Sequence, residues 1–112
     1  MRKIVTLVCM MLIGASCYAD EDSETNKKID QLCKSISSSA AMVMKARQAN
    51  LPMSEQLEII SEADSEYFKT VMRNIVMEAY DYPRLNTPSY QTQAIQDFEN
   101  KVMLECLRKH SI

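Results

Sequence analysis

Glycine is almost absent from this chain, and that absence restricts the folds open to it. The only glycine among the 112 residues is Gly14, which lies in an apolar N-terminal segment. Glycine-rich phosphate loops and dinucleotide-binding fingerprints need several glycines at fixed spacing, so both are excluded. Tight hairpins with glycine in the turn are disfavoured as well. The remaining sequence is rich in alanine, methionine, leucine, glutamate, lysine and glutamine, and it favours helix.

The first 19 residues have the layout of a secretory signal peptide. Arg2 and Lys3 give a positive start, residues 4–13 form a short apolar run, and small residues dominate positions 14–19. We expect cleavage after Ala19 and therefore a periplasmic or secreted protein.

Lipidation at Cys17 is an alternative fate for this segment. A lipoprotein signal carries a large aliphatic residue three positions before the modified cysteine, and Gly14 stands there instead. The apolar run is short for a membrane span, and no second run of about 20 apolar residues follows. No stable membrane insertion is expected after cleavage.

The charge of the mature chain argues against a nucleic-acid partner. All 15 acidic residues lie after position 19, whereas Arg2 and Lys3 account for 2 of the 13 basic residues and leave 11. The net charge of residues 20–112 is therefore −4. Nucleic-acid surfaces are basic, so none is predicted.

Two of the four cysteines are expected to leave with the signal peptide. Cys9 and Cys17 precede the cleavage site, whereas Cys33 and Cys106 lie in the mature chain. Disulfides persist in the oxidising compartments that exported proteins reach, and an even number of cysteines there indicates pairing. We therefore predict a disulfide between Cys33 and Cys106 that joins the first and last helices.

The best-marked helix is predicted from Thr87 to His110. Thr87 suits the N-cap position, because its hydroxyl can accept a hydrogen bond from a first-turn N–H, and Pro88 suits the first helical position. Apolar residues then recur at spacings of three and four, which is the pattern of one buried face; they are Ala94, Ile95, Phe98, Val102, Met103 and Cys106.

A first helix is predicted from about Lys28 to Ala49. It is expected to stop at Asn50, because asparagine tolerates the left-handed backbone geometry that often ends a helix. Residues 20–27 before it are polar and acidic and predict a flexible segment. The apolar positions of the helix, together with the stem of Arg47, are Ile29, Leu32, Cys33, Ile36, Ala40 and Val43.

The middle of the chain predicts two more helices. Residues 51–53 form a turn, and Ser54 is expected to cap a helix that breaks near the acidic residues 62–65. The apolar stripe then resumes and runs to Asp81, before a proline-containing linker. The fold class is therefore all-α, a small bundle of about four helices that occupies residues 28–110 as one domain.

No residue set points to catalysis. His110 is the only histidine and lies two residues from the C-terminus, where chains usually fray. Helical spacing brings Glu58, Glu62 and either Asp64 or Glu66 to one face, but a solvated surface explains them better than acid–base catalysis. We therefore predict that the protein is not an enzyme and has no catalytic residues and no cofactor.

The methionines raise the question of a copper site. Met42 and Met44 resemble the methionine pairs that bind cuprous copper, since thioethers are soft ligands. At a spacing of two on a helix, however, their side chains point about 200° apart. We predict no metal site and interpret these residues, with Met72, Met77 and Met103, as adaptable core filler.

The best candidate for a partner-binding site is the cluster Tyr80, Tyr82, Arg84 and Tyr90. Aromatic rings and a guanidinium around one turn are typical of binding hot spots. The alternative is that the tyrosines are boundary residues, with rings on the core and hydroxyls in water. Arg47, at the end of the first helix, is expected to have a structural role, either capping carbonyls or reaching carboxylates.

A series of residues from 33 to 106 carries a resemblance; they are Cys33, Ala40, Ala41, Met44, Arg47, Gln48, Ile75, Val76, Ala79, Tyr80, Pro83, Ala94, Ile95, Phe98 and Cys106. The series resembles a group of small exported bacterial proteins, some carried on phages, that are known mainly as uncharacterised. It implies an exported helical domain with paired cysteines, and it implies no activity. Where this chain has Asn50, that group usually has glycine. A weaker similarity, of size and architecture alone, is to periplasmic acid-stress chaperones of the HdeA type.

Two hypotheses about function follow from the sequence. The first is an exported, non-catalytic interaction module whose Tyr80 to Tyr90 end contacts another envelope protein. The second is an acid-stress chaperone that exposes apolar faces to unfolded clients when its carboxylates are protonated. The apolar stripes close either within one chain or across a homodimer.

Overall fold

A computed structural model of the chain describes residues 2–110, with side chains described from residue 24 to residue 110. Four helices are present there: α1 (Arg2–Gln48), α2 (Met53–Ser61), α3 (Glu66–Asp81) and α4 (Pro88–His110). The described residues contain no strand, so the predicted all-α bundle is confirmed. The chain divides into two units, Met1–Gln31 and Leu32–Ile112. The first unit is the N-terminal part of α1, and the second holds the rest of α1 with the other three helices.

The first helix begins earlier than predicted. It starts at Arg2 rather than near Lys28, so that residues 20–27 are helical. Extending an existing helix costs little once its first turn has formed, which accounts for helix in a segment without an apolar stripe. The side chains of the predicted signal peptide lie outside the described residues, and cleavage after Ala19 stays a prediction.

The predicted stop at Asn50 is confirmed, although the helix itself ends one residue earlier than predicted. α1 ends at Gln48, and Asn50 has a φ of 71°. Its backbone N–H donates to the carbonyl of Arg47 at 3.0 Å, and that of Leu51 donates to Ala46 at 3.0 Å. These bonds satisfy carbonyls of the last turn, as a left-handed C-terminal residue does in other helices.

The start of α2 differs from the prediction that Ser54 caps it. The residue before the helix is Pro52, whose φ of −63° and ψ of 144° place it at the N-cap. Its carbonyl accepts the N–H of Glu55 at 3.1 Å. Ser54 lies inside the first turn, because the fixed φ of proline and its free carbonyl already define the start.

The predicted break between α2 and α3 is confirmed. α2 ends at Ser61 and α3 begins at Glu66, so residues 62–65 form the turn. Ser65 is the N-cap of α3, and its hydroxyl accepts the N–H of Phe68 at 3.2 Å. This cap explains why the acidic turn can end one helix and start another without glycine.

The core lies between α1, α3 and α4, with Ile60 from α2. Phe98 and Met44 are the largest fully buried side chains. The other buried apolar residues are Cys33, Ile36, Ala40, Val43, Ile60, Met72, Ile75, Val76, Ala79, Val102 and Cys106. Most of them belong to the apolar stripes that the sequence predicts for the first, third and fourth helices.

The prediction that the methionines fill the core is only partly right. Met44 and Met72 are buried and Met103 is half-buried, but Met42 is 71% exposed and Met77 is 42% exposed. Two residues apart on one helix, Met42 and Met44 cannot face the same neighbour, so only one of them is covered.

A disulfide joins Cys33 of α1 to Cys106 of α4, as predicted, with the Cα atoms 5.5 Å apart. At the opposite end of the bundle, the carbonyl of Gln48 accepts a bond from Arg84, just before α4 begins. The C-terminal part of α1 and helix α4 therefore run antiparallel. Both of their ends are fixed, one by a covalent bond and the other by hydrogen bonds.

We expect loss of the disulfide to destabilise the bundle by about 4 kcal/mol, because the cross-link removes loop-closure entropy from the unfolded chain. The cysteines are 73 positions apart, so the closed loop is long. Urea unfolding of the oxidised protein, the reduced protein and the variant Cys33→Ala/Cys106→Ala measures this. The reduced protein and the variant should lose the same amount. Equal stability of all three forms would contradict the prediction.

Candidate interaction surface

Gln48 connects the end of α1 to the linker before α4. Its Nε2 donates to the carbonyl of Pro83 at 3.1 Å, and its Oε1 accepts the N–H of Leu85 at 2.8 Å. Its backbone carbonyl also accepts Nε of Arg84 at 3.1 Å. The Gln48 side chain is buried, and both ends of its amide are paired. One glutamine thus fixes the conformation of three linker residues.

Arg47 holds the end of α3. Its Nε and Nη2 donate to the carbonyl of Tyr82 at 3.3 and 3.1 Å, and its guanidinium carbon lies 5.1 Å from the centre of the Tyr80 ring. The Tyr80 hydroxyl in turn donates to the carbonyl of Leu51 at 2.5 Å. Arg47 therefore has a structural role, as expected, but its partners are a distant carbonyl and a ring rather than carbonyls of its own helix or carboxylates.

The predicted partner-binding residues mostly have partners inside the fold. Tyr80 packs under Arg47, Arg84 bonds Gln48, and the Tyr82 ring meets Phe98 edge to face with centroids 5.6 Å apart. These internal contacts explain the positions of three of the four residues, so no ligand is needed to explain them. Tyr90 differs, because it is 64% exposed. Binding at this end stays a prediction, and Arg84 and Tyr90 are the exposed side chains of the cluster.

The pKa of Lys101 is raised by its surroundings. Its Nζ lies 3.5 Å from Oε1 of Glu78 on α3 and 5.7 Å from the centre of the Tyr82 ring. Burial by itself lowers the pKa of Lys101, but Glu78, the Tyr82 phenol and Glu105 together raise it above the usual value. A raised lysine pKa stabilises the fold below the unfolded pKa, and the effect is lost as pH rises through the folded pKa. The Lys101–Glu78 contact therefore stabilises the fold at neutral pH and loses this contribution only in the alkaline range.

A cleft of about 540 Å³ runs beside the disulfide, with lining residues from α1, α3 and α4. Ile36, Ile75, Val102 and Cys106 provide apolar lining. Both signs of charge occur around it, from Glu78, Glu105, Arg108, Lys109 and His110. One of the two carboxylates, that of Glu78, already has a partner in Lys101.

A second concavity, of about 510 Å³, lies between α1, α2 and the start of α3. We call it the Met42 groove; its lining includes Met42, Val43, Ile59, Ile60, Phe68 and Met72. Gln56 lies in its wall and donates from Nε2 to the carbonyl of Val43 at 3.2 Å, which fixes α2 against α1. The groove is more uniformly apolar than the cleft beside the disulfide.

Two large apolar side chains of the Met42 groove are open to solvent. Met42 is 71% exposed and Ile59 is 62% exposed, although both lie on regular helices. Contiguous exposed apolar surface on a soluble protein commonly marks an interaction site. The sequence offers one signal for this: Met42 and Ile59 lie off the main apolar stripes, at positions that the core does not need.

Three further features are absent from the part of the chain that the structure describes. No group of three or more histidine, cysteine, aspartate or glutamate side chains there is arranged to hold a metal ion. No buried side-chain nitrogen or oxygen lacks a hydrogen-bond partner in that part. Within the described residues, no helix combines the length and apolar character needed to cross a membrane.

The fold and these surfaces define a class of protein, a disulfide-linked all-α bundle with an exposed apolar groove. The chain matches no protein family, no curated protein and no solved structure. The resemblances to small exported bacterial proteins and to HdeA-type chaperones therefore stay predictions. The case for function rests on the contacts and charges of the chain itself.

We expect Gln48→Ala to destabilise the fold by about 2 kcal/mol, because it leaves the Leu85 N–H and the Pro83 carbonyl without their partner. Urea unfolding measures the loss. Gln93→Ala is the matched control, since Gln93 is exposed and bonds only Asp97 on its own helix at 2.9 Å. The control should lose less than about 0.5 kcal/mol. Equal losses in the two variants would contradict the role assigned to Gln48.

Proposed function

We propose that this protein is an exported, non-catalytic interaction module that binds an amphipathic helix of another envelope protein in the Met42 groove. The observation that carries the proposal is the exposure of Met42 and Ile59 beside an apolar concavity of about 510 Å³. Leaving such side chains in water costs free energy that a bound apolar face would recover. Methionine also adapts to varied partners, and for that reason it is common at recognition surfaces.

Export is supported by two independent features. The N-terminal 19 residues have the charge and apolar pattern of a signal peptide. The Cys33–Cys106 disulfide is compatible with an oxidising compartment outside the cytosol, where such bonds persist. A periplasmic or secreted location is consistent with both.

The shape of the groove favours a helix as its occupant. α2 has nine residues and is about 14 Å long, so this wall matches two to three turns of a helix laid beside it. Apolar residues at helical spacing would then contact Met42 and Ile59 from one side. Helix-in-groove recognition of this kind does not need the exposed edge of a β-sheet, so it suits an all-α protein.

The groove is better supported as the contact surface than the Tyr80 to Tyr90 end. Tyr80, Tyr82 and Arg84 are occupied with internal contacts, and a partner would have to compete for them. Met42 and Ile59 are available without any such loss. Tyr90 remains a secondary candidate because of its exposure.

Site-specific photo-crosslinking in cells tests the proposal. A photoreactive residue is placed at position 42 or 59, and in control variants at Met77 or Leu104, which are 42% and 48% exposed but lie outside the groove. We expect positions 42 and 59 to give the same discrete adduct, with one envelope protein identified by mass spectrometry. The control positions should not give it, because they lie outside the lining of the groove.

Other adduct patterns would overturn the proposal in distinguishable ways. Identical adducts at all four positions, or none at the groove, would remove the groove from the interaction. An adduct with a second copy of the chain would indicate a homodimer. Many adducts that increase on acidification would indicate the acid-stress chaperone instead.

A further inference from the structure

We infer that the occupant of the Met42 groove is basic beside its apolar face, a lysine- and arginine-rich amphipathic helix rather than a neutral or acidic one. This inference rests on the proposed function and adds the charge of the partner. The observation that carries it is the charge of α2 and of Glu62 directly after it, which together form one wall of the groove. That wall is acidic along the edge that faces solvent.

Three glutamates define the acidic edge: Glu55, Glu58 and Glu62. All three are exposed, and Glu62 lines the groove itself. Glu55 precedes Ile59 by four residues and Glu62 follows it by three, so both share a helix face with that exposed apolar side chain. An apolar surface bordered by carboxylates therefore faces the occupant.

Basic residues near the groove are too few to neutralise this edge. Residues 53–68 contain five acidic and no basic side chains. On α3, Lys69 pairs with Glu66 of its own helix at 3.2 Å. On α1, Lys45 is the only basic residue between positions 35 and 46. Arg73 of α3 is a third basic residue near the groove, and the five acidic side chains still outnumber the three basic ones.

The acidic edge also selects the class of partner. Phosphate groups of nucleic acids and anionic lipid headgroups would be repelled by it. A helix with an apolar stripe flanked by lysine or arginine would place its charges against the glutamates while its stripe covers Met42 and Ile59. Basic amphipathic helices bind other acidic, methionine-lined grooves in the same manner.

Two synthetic peptides test the inference. Both are 18-residue amphipathic helices with a leucine apolar face; the polar face is lysine in one and glutamate in the other. Binding is measured by fluorescence anisotropy at about 50 mM and about 300 mM salt. We expect the lysine peptide to bind at least tenfold more tightly at low salt, which corresponds to about 1.4 kcal/mol. Its affinity should fall at high salt, because exposed charges are screened.

Two sets of variants separate charge from apolar contact. Glu55→Lys/Glu58→Lys/Glu62→Lys should remove or invert the preference between peptides. The matched control Asp30→Lys/Asp81→Lys/Asp97→Lys changes the net charge equally at exposed positions outside the groove and should keep the preference. Met42→Gln/Ile59→Gln should weaken both peptides, whereas Met77→Gln/Leu104→Gln should not.

The results also separate this inference from the function on which it rests. Equal binding of the two peptides, or no binding of either, overturns the basic partner even if crosslinking has identified a protein at positions 42 and 59. If positions 42 and 59 give no crosslink and the lysine peptide is still preferred, the charge effect lies outside the groove. That result overturns both the proposed function and this inference. If the variant with all three glutamates changed to lysine still prefers the lysine peptide, the acidic edge is not the source of the preference, and the inference is overturned.

Discussion

The covalent bond between Cys33 and Cys106 is the constraint on which the rest of the bundle depends. It holds α1 against α4 at one end, and the Arg47–Gln48 pair holds the linker and the end of α3 at the other. These two fixed ends are about 22 Å apart along α1. Between them, the apolar faces of α3 and α4 pack against α1. A domain this small has a limited core, so such fixed points account for a large share of its stability. α2 is attached less extensively, through Gln56 and Ile60, and its outer face is left open.

Much of the fold could be predicted from the sequence because its signals are local. Helical spacing of apolar residues located α3, α4 and the C-terminal part of α1, and the left-handed Asn50 and the turn at 62–65 marked the ends of helices. The disulfide followed from counting cysteines. The buried amides of Gln48 and Gln56 could not be predicted, because nothing in a glutamine's neighbours along the chain reveals a carbonyl brought close by tertiary packing.

The candidate site was harder to predict than the fold, for a physical reason. Aromatic rings and guanidinium groups serve folding and binding equally well, so composition alone could not separate Tyr80, Tyr82 and Arg84 from a hot spot. The structure gives these residues internal partners. For Met42 the predicted role in the core is wrong, because only one of two methionines spaced by two can face a neighbour. An exposed apolar side chain is recognised only when the neighbouring helices are in place.

The closed loop from Cys33 to Cys106 also changes what proteolysis can do to this molecule. The acidic turn at residues 62–65, most of which is exposed, is the kind of site that proteases cut. A cut there leaves α1 and α2 on one polypeptide and α3 and α4 on the other, yet the disulfide keeps the two fragments as one molecule. The walls of the Met42 groove would stay together after such a nick. In a compartment rich in proteases, the bond thus protects the assembled surface even where the backbone is broken.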